Sequence, residues 1–200
     1  MRVTGGEQGG MRLKSPTGTQ TRPMSDRLKL ALFSMLIARD QPRGRVLDLY
    51  AGTGALGIEA LSRGGDHVVF VEQHAGMAGI IRDNLAHTKL TNRASVHKQS
   101  VSRFLAHVAE SGFDLVLMDP PYADPEIAAT VCAVGERGLL ADDGLLVLGH
   151  TSRRVFADRI GPLQLDRKRC HGDSCVSFYQ LATNDCGLPE HTASLGEQEG

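Results

Sequence analysis

The sequence predicts an α/β fold: a mostly parallel sheet flanked by helices and finished by an antiparallel C-terminal hairpin. Three observations carry that expectation. Arg45 to Gly57 (RVLDLYAGTGALG) reads as strand, glycine turn and helix start. Beyond it, short apolar runs alternate with segments of helical length, the pattern of βαβ units. The last two apolar runs, Leu163 to Cys170 and Cys175 to Leu181, are separated only by His171-Gly172-Asp173-Ser174, so they pair as a hairpin.

Taken in order, Met1 to Gln20 is rich in Gly, Thr and basic residues, with Val3, Met11 and Leu13 as spaced apolar anchors. It is expected to form a short hairpin or loop within a basic extension over residues 1–24. Pro23 and Ser25 mark the start of a helix, Pro23 by restricting the chain and Ser25 by capping orphan N–H groups. Leu28, Ala31, Leu32, Met35 and Leu36 then recur at helical spacing to about Ala38. The glycine-turn helix from Leu56 stops at Arg63-Gly64-Gly65. Strands follow at His67–Glu72, Ala94–Lys98, Phe113–Met118 and Leu145–Gly149, with helices at Ala75 to about His87, Val101 to about Glu110 and Pro125 to about Arg137. Asp142-Asp143-Gly144 reads as a turn before the fifth strand. With the hairpin this makes seven strands in a domain spanning residues 25–183. The polar, acidic stretch over 184–200 has little to bury and is expected to be disordered.

Composition bounds the function classes. At 200 residues, with 41% hydrophobic and 22% charged residues, the chain fits one globular domain. It has no apolar run able to cross a bilayer and no secretory signal, so a cytoplasmic monomer without membrane contact is expected. Four cysteines, Cys132, Cys170, Cys175 and Cys186, lack metal-site spacing and read as reduced thiols, with no metal. The net charge of −1 is unevenly spread: Met1 to Arg45 carries nine Lys or Arg against three acids, while Asn184 to Gly200 carries four acids and no Lys or Arg. A basic leading segment suits an enzyme that docks on a polyanion.

The first candidate site is the glycine turn. Gly52, Gly54 and Gly57 satisfy G-x-G-x-x-G, and Glu72 follows Gly52 by 20 residues at the end of the second strand. On spacing alone this reads equally as a dinucleotide fingerprint. Asp48 shifts the balance, because an acid at the end of the first strand disfavours a pyrophosphate and suits a sulfonium bearing an α-ammonium group. S-adenosylmethionine is therefore preferred to NAD, with Asp48, Ala51, Gly52 and Gly54 around the cofactor and Glu72 on the ribose hydroxyls.

The second is Asp119-Pro120-Pro121-Tyr122, directly after the apolar Leu115-Val116-Leu117-Met118. In an open α/β sheet this turn faces the same crevice as the glycine turn. The prolines remove two N–H donors and leave carbonyl acceptors. An exocyclic amino group of a nucleobase offers two N–H donors, which Asp119 and the Pro120 carbonyl can accept. Its lone pair is then aimed at a methyl donor, and Tyr122 can stack on the base.

Thr21-Arg22-Pro23 with Asp26-Arg27, DLYAGTGALGIEALSRG from Asp48 to Gly64, and DPPY at Asp119 together resemble the bacterial 16S ribosomal RNA (guanine-N2)-methyltransferase family. The resemblance runs from about Arg2 to Leu181. It implies a Rossmann-like class I methyltransferase fold, methyl transfer to a guanine 2-amino group of small-subunit RNA, Asp119 to Tyr122 around the target, and Arg22 and Arg27 at the substrate. Ser100 is carried over as the adenine contact, since Gln99-Ser100-Val101 replaces the family's more usual Asn or Asp followed by Ala. Glu7 and Gln8 stand where the family usually has lysine-like residues. Three readings stay open: this enzyme acting with ribosomal RNA or the small subunit as partner, an adenine amino-methyltransferase on DNA or RNA, and a non-catalytic nucleic-acid-binding or NAD-binding relative.

Overall fold

The computed structural model describes residues 1–16 and 24–182. The chain runs through α1 (Asp26–Ile37), β1 (Arg45–Leu49), α2 (Ala55–Ser62), β2 (His67–Glu72), α3 (Ala75–Thr88), β3 (Ala94–Lys98), α4 (Val101–His107), β4 (Phe113–Met118), α5 (Ile127–Glu136), β5 (Leu140–Thr151), β6 (Arg159–Ile160), β7 (Leu163–His171) and β8 (Ser174–Leu181). One eight-stranded sheet has the order β3-β2-β1-β4-β5-β8-β7-β6. β1 to β5 pair in parallel, and β6, β7 and β8 add antiparallel strands at one side. This is the α/β class expected from the alternation.

Alternate residues of the central strands feed two cores. Val46, Leu115, Leu145, Val147, Val176 and Phe178 pack beneath α1, α2 and α3, against Leu32, Phe33, Ile58 and Ile81. Leu47, Leu49, Val116, Leu146 and Leu148 face α4 and α5 through Phe104, Ile127 and Val131. Burial on both faces is why these strands are almost continuously apolar in sequence. Chain order reverses between β1 and β4, and a crevice opens at that switch point beyond the strands' carboxyl ends.

The leading segment is a hairpin. Arg2 bridges Arg12, Val3 N–H donates to the Met11 carbonyl at 2.9 Å, and Val3 and Leu13 are buried. A charge network fixes it to the body. Glu59, fully buried on α2, accepts from Thr4 N–H (2.7 Å), Thr4 Oγ1 (2.6 Å) and Arg63 Nε (2.8 Å). Lys29, equally buried on α1, lies 3.4 Å from Glu59 and donates to the Arg2 carbonyl at 2.6 Å. Ser25 caps α1 as expected, accepting from Leu28 N–H at 3.2 Å.

Several expectations are corrected. Asp142-Asp143-Gly144 is not a turn but a bulge inside β5: a step from Phe113 to Leu115 on β4 matches a step from Leu140 to Leu145. Gly144 is needed there, since a Cβ would come 2.8 Å from the Phe113 carbonyl oxygen. An eighth, two-residue strand, β6, is too short to leave a periodic signal. α4 stops at His107 and α5 starts at Ile127, each shorter than its apolar pattern suggests. Cys170 and Cys175 are disulfide-bonded rather than reduced, because the β7–β8 hairpin sets them directly opposite each other; Cys132 is free. Arg22, Pro23, Cys186 and the acidic stretch lie outside the described residues.

Candidate active site

A cleft of about 520 Å³ occupies the switch point, lined by both predicted motifs. Its floor comes from the ends of β1 and β2 and the turn after β1. Tyr50, Gly52 and Gly54 all adopt positive φ (59°, 56° and 78°) to reverse the chain from strand into helix. Gly52 presents its backbone to the cleft. Gly57 serves packing instead, because a Cβ there would lie 2.3 Å from the Phe70 ring.

Asp48 is buried on the fourth residue of β1, where one carboxylate oxygen accepts Gly57 N–H at 2.9 Å and so pins the first turn of α2. Burial pushes its pKa up to about 8 against the lowering effect of that bond, and the charges of Asp119 and Glu72 raise it further. Glu72 uses one oxygen for Gly52 N–H and the other for His74 N–H, both at 2.8 Å. Each oxygen keeps acceptor capacity for a hydroxyl. Asn84 of α3 ties the floor to the leading hairpin, donating to the Thr53 carbonyl (3.0 Å) and accepting Lys14 N–H (2.7 Å).

The opposite wall is the turn after β4. Asp119 projects into the cleft, and burial raises its pKa to about 6, leaving it ionised at neutral pH. Asp124 N–H closes the turn on the Pro121 carbonyl at 2.9 Å, so the Pro121 oxygen is engaged within the turn. Pro120 is buried, while Tyr122 is 38% exposed at the cleft mouth. Arg154, from the loop after β5, donates to the carbonyls of Tyr122 (3.2 Å), Asp124 and Pro125 (3.4 Å), and lies over the Phe156 ring.

The structure thus brings Asp48, Ala51, Gly52, Glu72 and Asp119 to Tyr122 around one cleft. It does not bring Gly54, which is buried against Ile81 and Phe70, nor Ser100, which caps α4 by accepting Arg103 N–H at 3.2 Å while its neighbour Val101 lines the cleft. The local reason is that a serine before a helix is drawn to the helix's own N–H groups. Arg27 is exposed on α1, outside the cleft lining. Residues not singled out from sequence include Met1, Met24, Lys29, Tyr50 and Met77 in the lining, and Arg154 behind the DPPY turn. For Tyr50 the place directly before Ala51-Gly52 is a usable signal.

The donor set fits S-adenosylmethionine better than a dinucleotide. Two further acids, Glu72 and Asp119, line the cleft with Asp48 and disfavour a pyrophosphate. Lys29, also in the lining, is already paired with Glu59. Asp48 is a buried acid with a raised pKa, a site that a cation would stabilise.

Comparison with known proteins gives consistent matches. The family described as Conserved hypothetical protein 95 matches residues 1–180. YlbH of Bacillus subtilis is 37% identical over 182 residues, covering 90% of this chain and 98% of that protein. Ribosomal RNA small subunit methyltransferase D of Escherichia coli is 29% identical over 180 residues, covering 90% and 89%. A tRNA1(Val) (adenine(37)-N6)-methyltransferase of Salmonella paratyphi B is 33% identical over 95 residues, covering 46% and 37%. Among solved structures, a hypothetical protein of Thermus thermophilus superposes with a TM-score of 0.79 at 33% identity, covering 90% of this chain and 99% of that one.

Proposed function

The chain belongs to the family described as Conserved hypothetical protein 95, and from that footing we propose that it is an S-adenosylmethionine-dependent methyltransferase acting on the 2-amino group of a guanine in small-subunit ribosomal RNA. The observation that carries this reading is the single cleft shared by the acid-lined glycine turn and the Asp119–Tyr122 turn. The match to a ribosomal RNA small subunit methyltransferase over 90% of the chain supports the polymer.

Asp48, Ala51, Gly52 and Glu72 would hold the cofactor, with Gly54 turning the chain behind them. When bound, it supplies an electrophilic methyl group on a sulfonium. The chain's own residues do the rest by positioning. Asp119 accepts one amino hydrogen of the target base. The Pro120 carbonyl accepts the other, since the Pro121 carbonyl already closes the turn. Together they draw the nitrogen towards tetrahedral geometry with its lone pair facing the floor of the cleft. Tyr122 stacks on the base. No strong base is needed beforehand: the C–N bond would form as the methyl–sulfur bond breaks, and the surplus proton would then pass from the nitrogen to the Asp119 carboxylate and on to water.

An adenine amino group would meet the same acceptors, and the partial match to a tRNA adenine-N6 enzyme favours that second reading. Labelled methyl transfer onto small-subunit particles, naked ribosomal RNA, transfer RNA and DNA, followed by nucleoside mass spectrometry, decides between them. N2-methylguanosine in small-subunit RNA is the expected product. N6-methyladenosine would replace the leading reading with the second, and no transfer to any polymer would overturn both.

A further inference from the structure

Beyond the cleft, the outer hairpin carries a run of three cations, Arg167-Lys168-Arg169, all exposed on β7. Asp166, the acid within that strand, is taken up by Arg39 of α1. Among the described residues no carboxylate pairs with any of the three. Their charge is therefore available to a ligand.

Topology places this run beside the DPPY turn. Because β8 is antiparallel to β5 and β7 antiparallel to β8, the carboxyl end of β7 lies at the same edge of the sheet as those of β4 and β5. Gly149 pairs with Val176, and Val176 pairs with Arg169, so the three form one cross-strand row and face the same side. The Asp119 carboxylate overlies Gly149 on that side: a Cβ on Gly149 would meet Asp119 Oδ1 at 2.5 Å. Arg169 thus lies two strands, roughly 10 Å, from the carboxylate that faces the target, and Arg167 about 7 Å further back along β7. Lys168 points to the other face, in the row of Ser177 and Leu148.

Resting on the RNA reading above, we propose that Arg167 and Arg169 form a rail that binds backbone phosphates of single-stranded RNA flanking the target base. A base drawn into the cleft leaves its flanking backbone outside. The rail is a cationic surface on the side of the sheet that Asp119 faces, roughly 10–12 Å away by strand spacing.

The test is an Arg167→Gln/Arg169→Gln variant, titrated with single-stranded ribosomal RNA fragments over a range of salt. Arg137→Gln, beyond the C-terminal end of α5, is the control, and cofactor affinity is measured alongside. The rail predicts RNA binding roughly tenfold or more weaker at low salt. It also predicts a salt slope shallower by about 1.4, from ~0.7 for each of the two phosphates no longer neutralised. Cofactor affinity and the Arg137→Gln variant stay at wild-type values. An Arg167→Lys/Arg169→Lys variant should keep most of the slope; if it loses as much as the Gln pair, charge is not the cause and the proposal fails. If wild type methylates RNA and the Gln pair binds RNA like wild type, the rail alone is overturned. If wild type neither binds nor methylates RNA, the functional reading falls and takes the rail with it.

Discussion

The Asp119 carboxylate rests over Gly149, so closely that a Cβ on that glycine would lie 2.5 Å from Oδ1. Gly149 has no positive φ to explain it; its small size is what leaves room for the acid. Gly149→Ala should push Asp119 out of line with the target amino group. Because a misplacement near 1 Å can cost on the order of 100-fold in rate, single-turnover transfer should drop by about that much. Cofactor affinity, which depends on the β1 and β2 turns, should change little. Equal rates in the two proteins would show that Asp119 is not a positional acceptor.

Arg154 holds the same turn from behind, through the carbonyls of Tyr122, Asp124 and Pro125. Arg154→Ala should loosen Tyr122 and the Pro120 carbonyl together, raising KM for RNA and lowering kcat by roughly tenfold or more. Arg154→Lys should recover only part, since one ammonium cannot span three carbonyls as a planar guanidinium does. Steady-state kinetics of the two variants, with RNA as the varied substrate, provide the check.

How much of this is legible in the sequence follows from how local each signal is. Glycine turn, DPPY turn and central strands announce themselves through contiguous residues, and the structure places them at one switch point. Arg154 and Gly149 stay invisible because their roles depend on β5 lying beside β4, a pairing that no short motif encodes. Cysteine spacing judged against metal motifs misses the Cys170–Cys175 bond, for which the hairpin register is the relevant test. Resemblance alone puts Ser100 at the cofactor, whereas in the structure its side chain caps α4. Lys29 sits within an amphipathic helix pattern, yet it is buried by Glu59, a partner 30 residues on.

That buried pair gives a stability prediction. Lys29→Met removes the cation beside a fully buried Glu59 and frees the Arg2 carbonyl. Breaking one side of a buried ion pair costs about 3–5 kcal/mol. Denaturant titration should show a loss of that order, with the leading hairpin released first in hydrogen exchange. Arg63 still pairs with Glu59 in that variant, so the loss should fall towards the lower end of that range. A Lys29→Met protein as stable as wild type would mean that the hairpin is held by Val3 and Leu13 packing alone.

Glu72→Ala should act on the floor of the cleft rather than on the transfer step. It leaves Gly52 N–H and His74 N–H without their acceptor. It also removes a charged acceptor for the ribose hydroxyls, worth about 1.5–3 kcal/mol, so cofactor binding should weaken by tenfold or more while the bound complex still turns over. Calorimetry of cofactor binding gives the direct measurement; an unchanged dissociation constant would remove Glu72 from the cofactor's contacts.

Asp48 makes the cofactor-free protein and the bound complex respond to pH in opposite directions. Burial holds its folded pKa at about 8, above the ordinary 3.8, so across that interval the folded state keeps a proton that the unfolded chain has released. The resulting contribution to stability is complete below pH ~4 and is lost as pH rises towards 8, at no more than about 1.4 kcal/mol per pH unit. A sulfonium cofactor beside Asp48 favours the ionised acid, so binding releases a proton below pH 8, and affinity should rise by up to about tenfold per pH unit until that point. Calorimetry in buffers of different ionisation enthalpy reads the released proton directly. Asp48→Asn keeps an acceptor for Gly57 N–H but cannot ionise, so its affinity should be weaker above pH 8 and lose this share of the pH dependence. A wild-type affinity that is flat between pH 6 and 8 would mean that the cation does not sit beside Asp48.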